Sequence, residues 1–209
     1  MVKTAVLVSG GGTNLQALID AKRSGALPDT EFVGVIGSSP DAYALTRAAA
    51  AGIPIFTVDI ADYPNNREGF TDKITDTLNS LGAELVITAG FLYVTTPRFI
   101  NEYAGRVINI HPALLPSFGG AGCYGIHVHE KALAYGVKVT GATAHFVTQE
   151  TDTGPIILQK AVEVLSDDTP QSLQRRVMEQ AEWLILPEAV RLYCAGKLKV
   201  SGRTITILD

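Results

Sequence analysis

An amide and an imidazole two residues apart, immediately before a proline, are the first residues of this chain that could do chemistry. They are Asn109 and His111 in the run Val107-Ile108-Asn109-Ile110-His111-Pro112. In an extended segment residues i and i+2 project to the same side. Pro112 has no N–H to donate, so the strand ends there. A hydrogen-bond donor beside a titratable ring at the mouth of a strand suits a developing oxyanion. The same residues also suit a plain strand-to-loop junction, with Asn109 capping the backbone and His111 exposed.

A second group lies near the start. Ser9-Gly10-Gly11-Gly12-Thr13-Asn14 follows the apolar run Ala5-Val6-Leu7-Val8 and precedes a segment with helical spacing. Strand, glycine loop and helix start are the layout that holds a phosphate on backbone N–H groups. A dinucleotide fingerprint would want glycine where Leu15 stands, and the next strand ends in Gly37-Ser38-Ser39 rather than in an acid. No Gly-Lys-Ser/Thr of a P-loop appears. A phosphate monoester is the ligand expected, against a tight turn that binds nothing.

The elements that must position these groups alternate. Strands are expected at 32–36, 53–58, 85–91 and 107–111, with helices over 41–51 and 66–81 between them. Phe70, Ile74, Leu78 and Leu81 form the buried face of the second helix. This alternation predicts an α/β fold with a doubly wound, mostly parallel sheet, whose ligands gather at the carboxyl ends of the strands. Residues 10–14, 90–95 and 109–111 all fall at such ends. Beyond Pro116 a glycine-rich loop over 118–125 is expected to be mobile or ordered against ligand, and a helix follows over 126–135. Residues 139–147 alternate as a strand, with Thr143, His145 and Val147 on one face. Residues 156–162 return as its partner, an antiparallel hairpin at the sheet edge. The last long helix is predicted from 169 to 186, stopping before Pro187, with a further stretch over 188–194 and a two-stranded ribbon over 198–208.

Composition narrows the class. The 209 residues are 46% hydrophobic and 18% charged, as in a soluble globule with a sizeable core. A net charge of −4 argues against a bulk nucleic-acid binder, so an anionic ligand must be held by local donors. Cys123 and Cys194 have neither metal spacing nor a disulfide framework, which fits a reducing cytoplasm. The N-terminus lacks signal-peptide anatomy, and no apolar run approaches membrane length.

Several segments, taken together and in order, resemble the phosphoribosylglycinamide formyltransferase family, folate-dependent enzymes of purine synthesis. They are Ser9-Gly10-Gly11-Gly12-Thr13-Asn14-Leu15, Ala89-Gly90-Phe91, Asn109-Ile110-His111-Pro112 with Leu115-Pro116-Ser117, and His145-Phe146-Val147 through Asp152-Thr153-Gly154-Pro155. The resemblance covers nearly the whole chain. It implies one formyltransferase domain, with a phosphate-binding half over about 1–105 and a catalytic, folate-binding half over about 106–209. It implies formyl transfer from the co-substrate 10-formyltetrahydrofolate to the amine of glycinamide ribonucleotide, with no metal, nucleic-acid or membrane partner, and it leaves a homodimer open. Asn109 and His111 match the residues that hold the tetrahedral oxygen. Asp152 matches the group that favours a charged His111 and moves the proton from amine to folate N10. Thr143 matches a hydroxyl that helps hold a water, and His145 a histidine behind the site or a satisfied core residue. Gly12, Thr13 and Asn14 match the phosphate cradle, and Glu182 an acid contacting the ribonucleotide, unless it lies on a solvated helix face. Leu92, Val94 and Val147 match the pterin pocket, and Arg67 a basic position near the anionic end of the folate.

Two departures stand out. Tyr93 occupies a position where many relatives carry arginine, which affects the hold on the folate tail. The loop over 118–126 is longer and richer in glycine than the family's compact form. The alternatives are a related formyltransferase acting on another amine, a formyltetrahydrofolate hydrolase, and a non-catalytic ligand-binding protein on the same fold.

Overall fold

Unbroken apolar runs dictate the centre of the sheet. In a computed structural model that describes residues 1–91, 93 and 96–209, β1 (Val2–Val8) is fully buried from Thr4 onward. Such a strand must be covered on both faces, which is the environment of a parallel sheet. It pairs in parallel with β2 (Thr30–Gly37) and with β4 (Leu85–Thr88), Val6 standing opposite Val35 on one side and Ile87 on the other. β3 (Ile55–Thr57) extends β2, again in parallel. With β5 (Val107–His111), β6 (Val139–Phe146) and β7 (Ile156–Glu163), the strand order is β3-β2-β1-β4-β5-β6-β7. The sheet is mostly parallel, as the alternation of elements predicts.

Two compact units divide the chain, Met1–Ile108 and Asn109–Asp209. In the first, α1 (Thr13–Arg23), α2 (Tyr43–Ala50) and α3 (Arg67–Ser80) connect the strands. The Asn66 side chain caps α3 by accepting from the Gly69 N–H at 2.9 Å, and Phe70, Ile74 and Leu78 form its buried face while Leu81 lies just past its end. A short α4 (Pro97–Glu102) was not expected from the sequence. Proline at its first position and six residues of length leave too little periodicity to read. It is joined to α3 by Arg98, whose guanidinium reaches Asp72 at 3.2 Å and Asp76 at 2.7 Å.

In the second unit α5 (Ile126–Tyr135) precedes β6 and β7, which pair antiparallel as the edge hairpin. The turn between them needs a glycine. A Cβ on Gly154 would stand 1.7 Å from the Phe146 carbonyl oxygen. α6 (Pro170–Val177) begins in a capping box between Thr169 and Ser172. The expected stop before Pro187 does not occur. A π turn (Met178–Glu182) follows α6 directly, and α7 (Trp183–Cys194) runs through Pro187. Proline deletes one i→i−4 bond, and the wider turn just upstream is a recognised local adjustment to such a break. β8 (Leu198–Ser201) and β9 (Thr204–Ile207) form the separate antiparallel ribbon. Among the described residues no helix is long and apolar enough to cross a membrane.

Candidate active site

β1 ends at Val8 and the chain turns through the glycines into α1. Gly12 takes φ +73°, a left-handed conformation that glycine adopts without a Cβ penalty. A Cβ there would also stand 2.6 Å from that of Ala44. Gly12 and Thr13 are half-buried and Asn14 is buried. The three expected cradle residues therefore open α1, where backbone N–H groups lack intrahelical partners and the helix dipole favours an anion.

Elsewhere in this unit, Arg67 is the exposed first residue of α3. Tyr93 packs its ring edge-on against Phe70 at 5.3 Å and Phe91 at 5.6 Å. Leu92 and Val94, expected in the pterin pocket, lie outside the described residues.

In the second unit the chemistry-bearing residues converge. β5 ends at His111, which is 3% exposed. The His145 Nδ1 lies 2.9 Å from the Phe146 carbonyl. A carbonyl only accepts, so Nδ1–H donates to it, and Nε2 faces the Asn109 amide nitrogen at 3.2 Å. His145 is thus buried with both ring nitrogens partnered, and one of those partners is Asn109. Asp152 stands against both rings, 3.5 Å from His111 Nδ1 and 3.7 Å from His145 Nε2. It adopts φ +56°, which aspartate tolerates better than most residues.

The glycine-rich loop supplies two backbone contacts that no sequence pattern announced. His111 Nε2–H donates to the Phe118 carbonyl at 2.9 Å, and the Gly120 N–H donates to Asp152 Oδ2 at 2.9 Å. Its own residues tie the loop to α5, where Phe118 meets Tyr135 edge-on at 6.0 Å and Lys131 Nζ donates to the Gly122 carbonyl at 2.8 Å.

These surroundings set the charges. Burial holds the His111 pKa below the ordinary imidazole value; Asp152 and the Phe118 carbonyl pull it up, and His145 adds to the lowering. Asp152 favours a charged His111, as expected, but burial outweighs the carboxylate and sets the direction of the net shift. Burial opposes ionisation of Asp152 too, yet the His145 and His111 rings and the Gly120 N–H bring its pKa below the usual carboxylate value. The site therefore holds an ionised acid beside a neutral imidazole whose proton is on Nε2. His129, fully buried on α5, is pushed down to about 4 by burial and by repulsion from His111.

Thr143 is buried, but its hydroxyl is fully used. It donates to the Ala113 carbonyl at 2.6 Å and accepts from the Leu115 N–H and from Gln159 Nε2, both at 3.0 Å. One proton and two lone pairs are then spent, leaving none for the expected water. Thr143 instead braces the turn that follows His111. Gln159, which also donates to the Leu115 carbonyl at 2.9 Å, shares this work; its only sequence signal was an amide in an apolar strand. Glu182 is 6% exposed at the end of the π turn, so the solvated-face alternative is overturned. Val147 is half-buried just past β6.

Comparison with known proteins gives a consistent set of likenesses. The family profile described as formyl transferase matches residues 2–190. The phosphoribosylglycinamide formyltransferase of Haemophilus influenzae is 39% identical over 200 residues, 96% of this chain and 91% of that protein. The trifunctional purine biosynthetic protein adenosine-3 of Drosophila melanogaster is 40% identical over 95% of this chain, which spans 14% of that longer protein. The crystal structure of glycinamide ribonucleotide transformylase 1 from Symbiobacterium toebii superposes with a TM-score of 0.93 at 42% identity, covering 100% of this chain and 95% of that one.

Proposed function

The chain belongs to the formyl transferase family, and from that premise we propose that it transfers the formyl group of 10-formyltetrahydrofolate to the amine of glycinamide ribonucleotide in purine biosynthesis. The observation that carries the reading is Asp152, ionised and held between the rings of His111 and His145. A proton acceptor beside aimed hydrogen-bond donors is what acyl transfer to an amine requires.

The amine lone pair attacks the formyl carbon, and the carbonyl π pair moves onto oxygen. Asn109 Nδ2–H and His111 Nε2–H donate to that oxyanion, His111 exchanging the Phe118 carbonyl for it as substrate enters. Neutral His111 is competent for this, because its proton already lies on the nitrogen turned away from Asp152. Asp152 takes the proton from the attacking nitrogen and passes it to folate N10. The C–N10 bond then breaks as the carbonyl reforms, leaving formylated ribonucleotide and tetrahydrofolate.

Gly12, Thr13 and Asn14 would hold the phosphate, and Glu182 the ribonucleotide. Val147 with Leu92, Tyr93 and Val94 would line the folate, and Arg67 would serve its anionic end. On this reading the enzyme works in the cytoplasm, where Cys123 and Cys194 would stay reduced.

The test is absorbance of the protein mixed with 10-formyltetrahydrofolate or its dideaza analogue, with and without glycinamide ribonucleotide. Deformylation only in the presence of the ribonucleotide is expected. Deformylation without it would replace the transferase by a hydrolase, and no reaction in either mixture would leave another amine or an idle scaffold.

A further inference from the structure

The glycine loop is held from behind by α2, and one side chain of that helix does what no backbone group there does. The Ala44 N–H donates to the Gly10 carbonyl at 3.0 Å, and Arg47 Nε donates to the Gly11 carbonyl at 2.8 Å. In a planar trans peptide the C=O and the following N–H point in opposite directions. A Gly10 carbonyl turned to α2 therefore turns the Gly11 N–H away from it. A Gly11 carbonyl turned to Arg47 does the same for the Gly12 N–H. Two successive donors are aimed to one side by two bonds made on the other.

The guanidinium is itself fixed. Its Nη1 donates to Gln16 Oε1 at 3.1 Å, and its centre lies 5.0 Å from the ring of Tyr43. Gln16 belongs to the first turn of α1, where its N–H donates to the Gly12 carbonyl at 2.9 Å. Arg47 thus ties the loop, the start of α1 and α2 into one unit. No slack remains between loop and helix, since a Cβ on Gly12 would meet Ala44 at 2.6 Å and Arg47 Cδ at 3.4 Å. Lysine could not replace this geometry: it offers a point charge where two acceptors are engaged from a planar fork. A cation on the Gly11 carbonyl also polarises that peptide and strengthens the Gly12 N–H as a donor.

We propose that Arg47 is a positioning residue for the phosphate of the acceptor, acting through the Gly11–Gly12 peptide and not by touching the phosphate. This rests on the reading of residues 12–14 as the phosphate cradle. It places the residue's effect in binding of one ligand and in neither the chemistry nor the folate.

The experiment compares wild type, Arg47→Leu and Arg47→Lys in steady state, with glycinamide ribonucleotide and with the corresponding riboside that lacks phosphate. Both substitutions are expected to raise KM for the ribonucleotide by about tenfold, the worth of one charge-assisted hydrogen bond. The kcat, the KM for folate and kcat/KM for the riboside should each stay within about twofold. An unchanged ribonucleotide KM, an equal loss with the riboside, or full rescue by lysine would overturn the proposal. A wild type that does not distinguish ribonucleotide from riboside would instead sink the phosphate cradle itself, which separates the two failures. Should Arg47→Leu not fold, Gln16→Leu loosens the guanidinium without emptying its place, and it should raise the same KM by a smaller factor.

Discussion

A histidine 3% exposed beside an ionised carboxylate is pulled two ways, and at His111 burial wins. The oxyanion role therefore asks for Nε2–H of a neutral ring and an ionised Asp152. Asn109→Ala and His111→Ala should each lower kcat at least about a hundredfold; near-normal turnover in both would remove the mechanism. Asp152→Asn should depress kcat more than it raises the ribonucleotide KM, as steady-state analysis of both parameters will show. His129 gives a stability signature instead. Its folded pKa, about 4, lies below its ordinary value of 6.5, so between these the unfolded chain binds the extra proton and stability falls as pH falls. Denaturant midpoints should drop from pH 7 to 4.5, and less steeply in His129→Leu. Parallel slopes would show that another group carries the dependence; His111 shifts in the same direction and leaves a residual slope.

Elements succeed here where they carry their own punctuation. Asn66 before α3, Thr169-Pro170 before α6 and the glycine-rich turn after β1 are written in residue types whose effects are local. They fail where a distant partner decides. Thr143 and Gln159 on the β6–β7 hairpin clamp the turn after β5 from 28 and 44 residues away. Thr143→Val should cost about 1–3 kcal/mol, because the buried Leu115 N–H and Ala113 carbonyl lose their partner, whereas Thr143→Ser should recover most of it in urea titrations. From the last turn of α6, Arg176 reaches Asp168, just ahead of the helix, at 2.5 and 2.7 Å, and Asp168 also accepts from Ser172 at 2.7 Å. This bidentate pair is nearly buried on its carboxylate side and holds the Asp168 pKa well below the usual carboxylate range.

Across the molecule, an excess of acidic residues, net −4, meets a reaction whose two ligands are anionic. Binding must then come from fixed local donors rather than from the general field, as proposed for the glycine loop. A ligand that binds only the folded state stabilises it by about 2.7 kcal/mol at a hundred times its Kd. Saturating glycinamide ribonucleotide should accordingly raise Tm by several degrees, with inorganic phosphate giving a smaller rise. An unshifted Tm at millimolar ribonucleotide would count against the acceptor proposed here.

What the sequence by itself determined was whatever local patterning controls. Unbroken apolar runs located β1, β4 and β5, helical spacing located α3, and proline after His111 marked where an amide and an imidazole must emerge together. The tertiary structure alone decided the charge of His111, since burial is a property of everything folded around it and Asp152 is only one neighbour. It decided that Phe118 and Gly120 serve the site through backbone atoms, which have no residue-type signature. It decided that the helix survives Pro187, that Glu182 is buried, and that the Thr143 hydroxyl is spent on a turn. Each of these depends on which groups meet across long stretches of chain, and periodicity along a single segment carries no record of its partners.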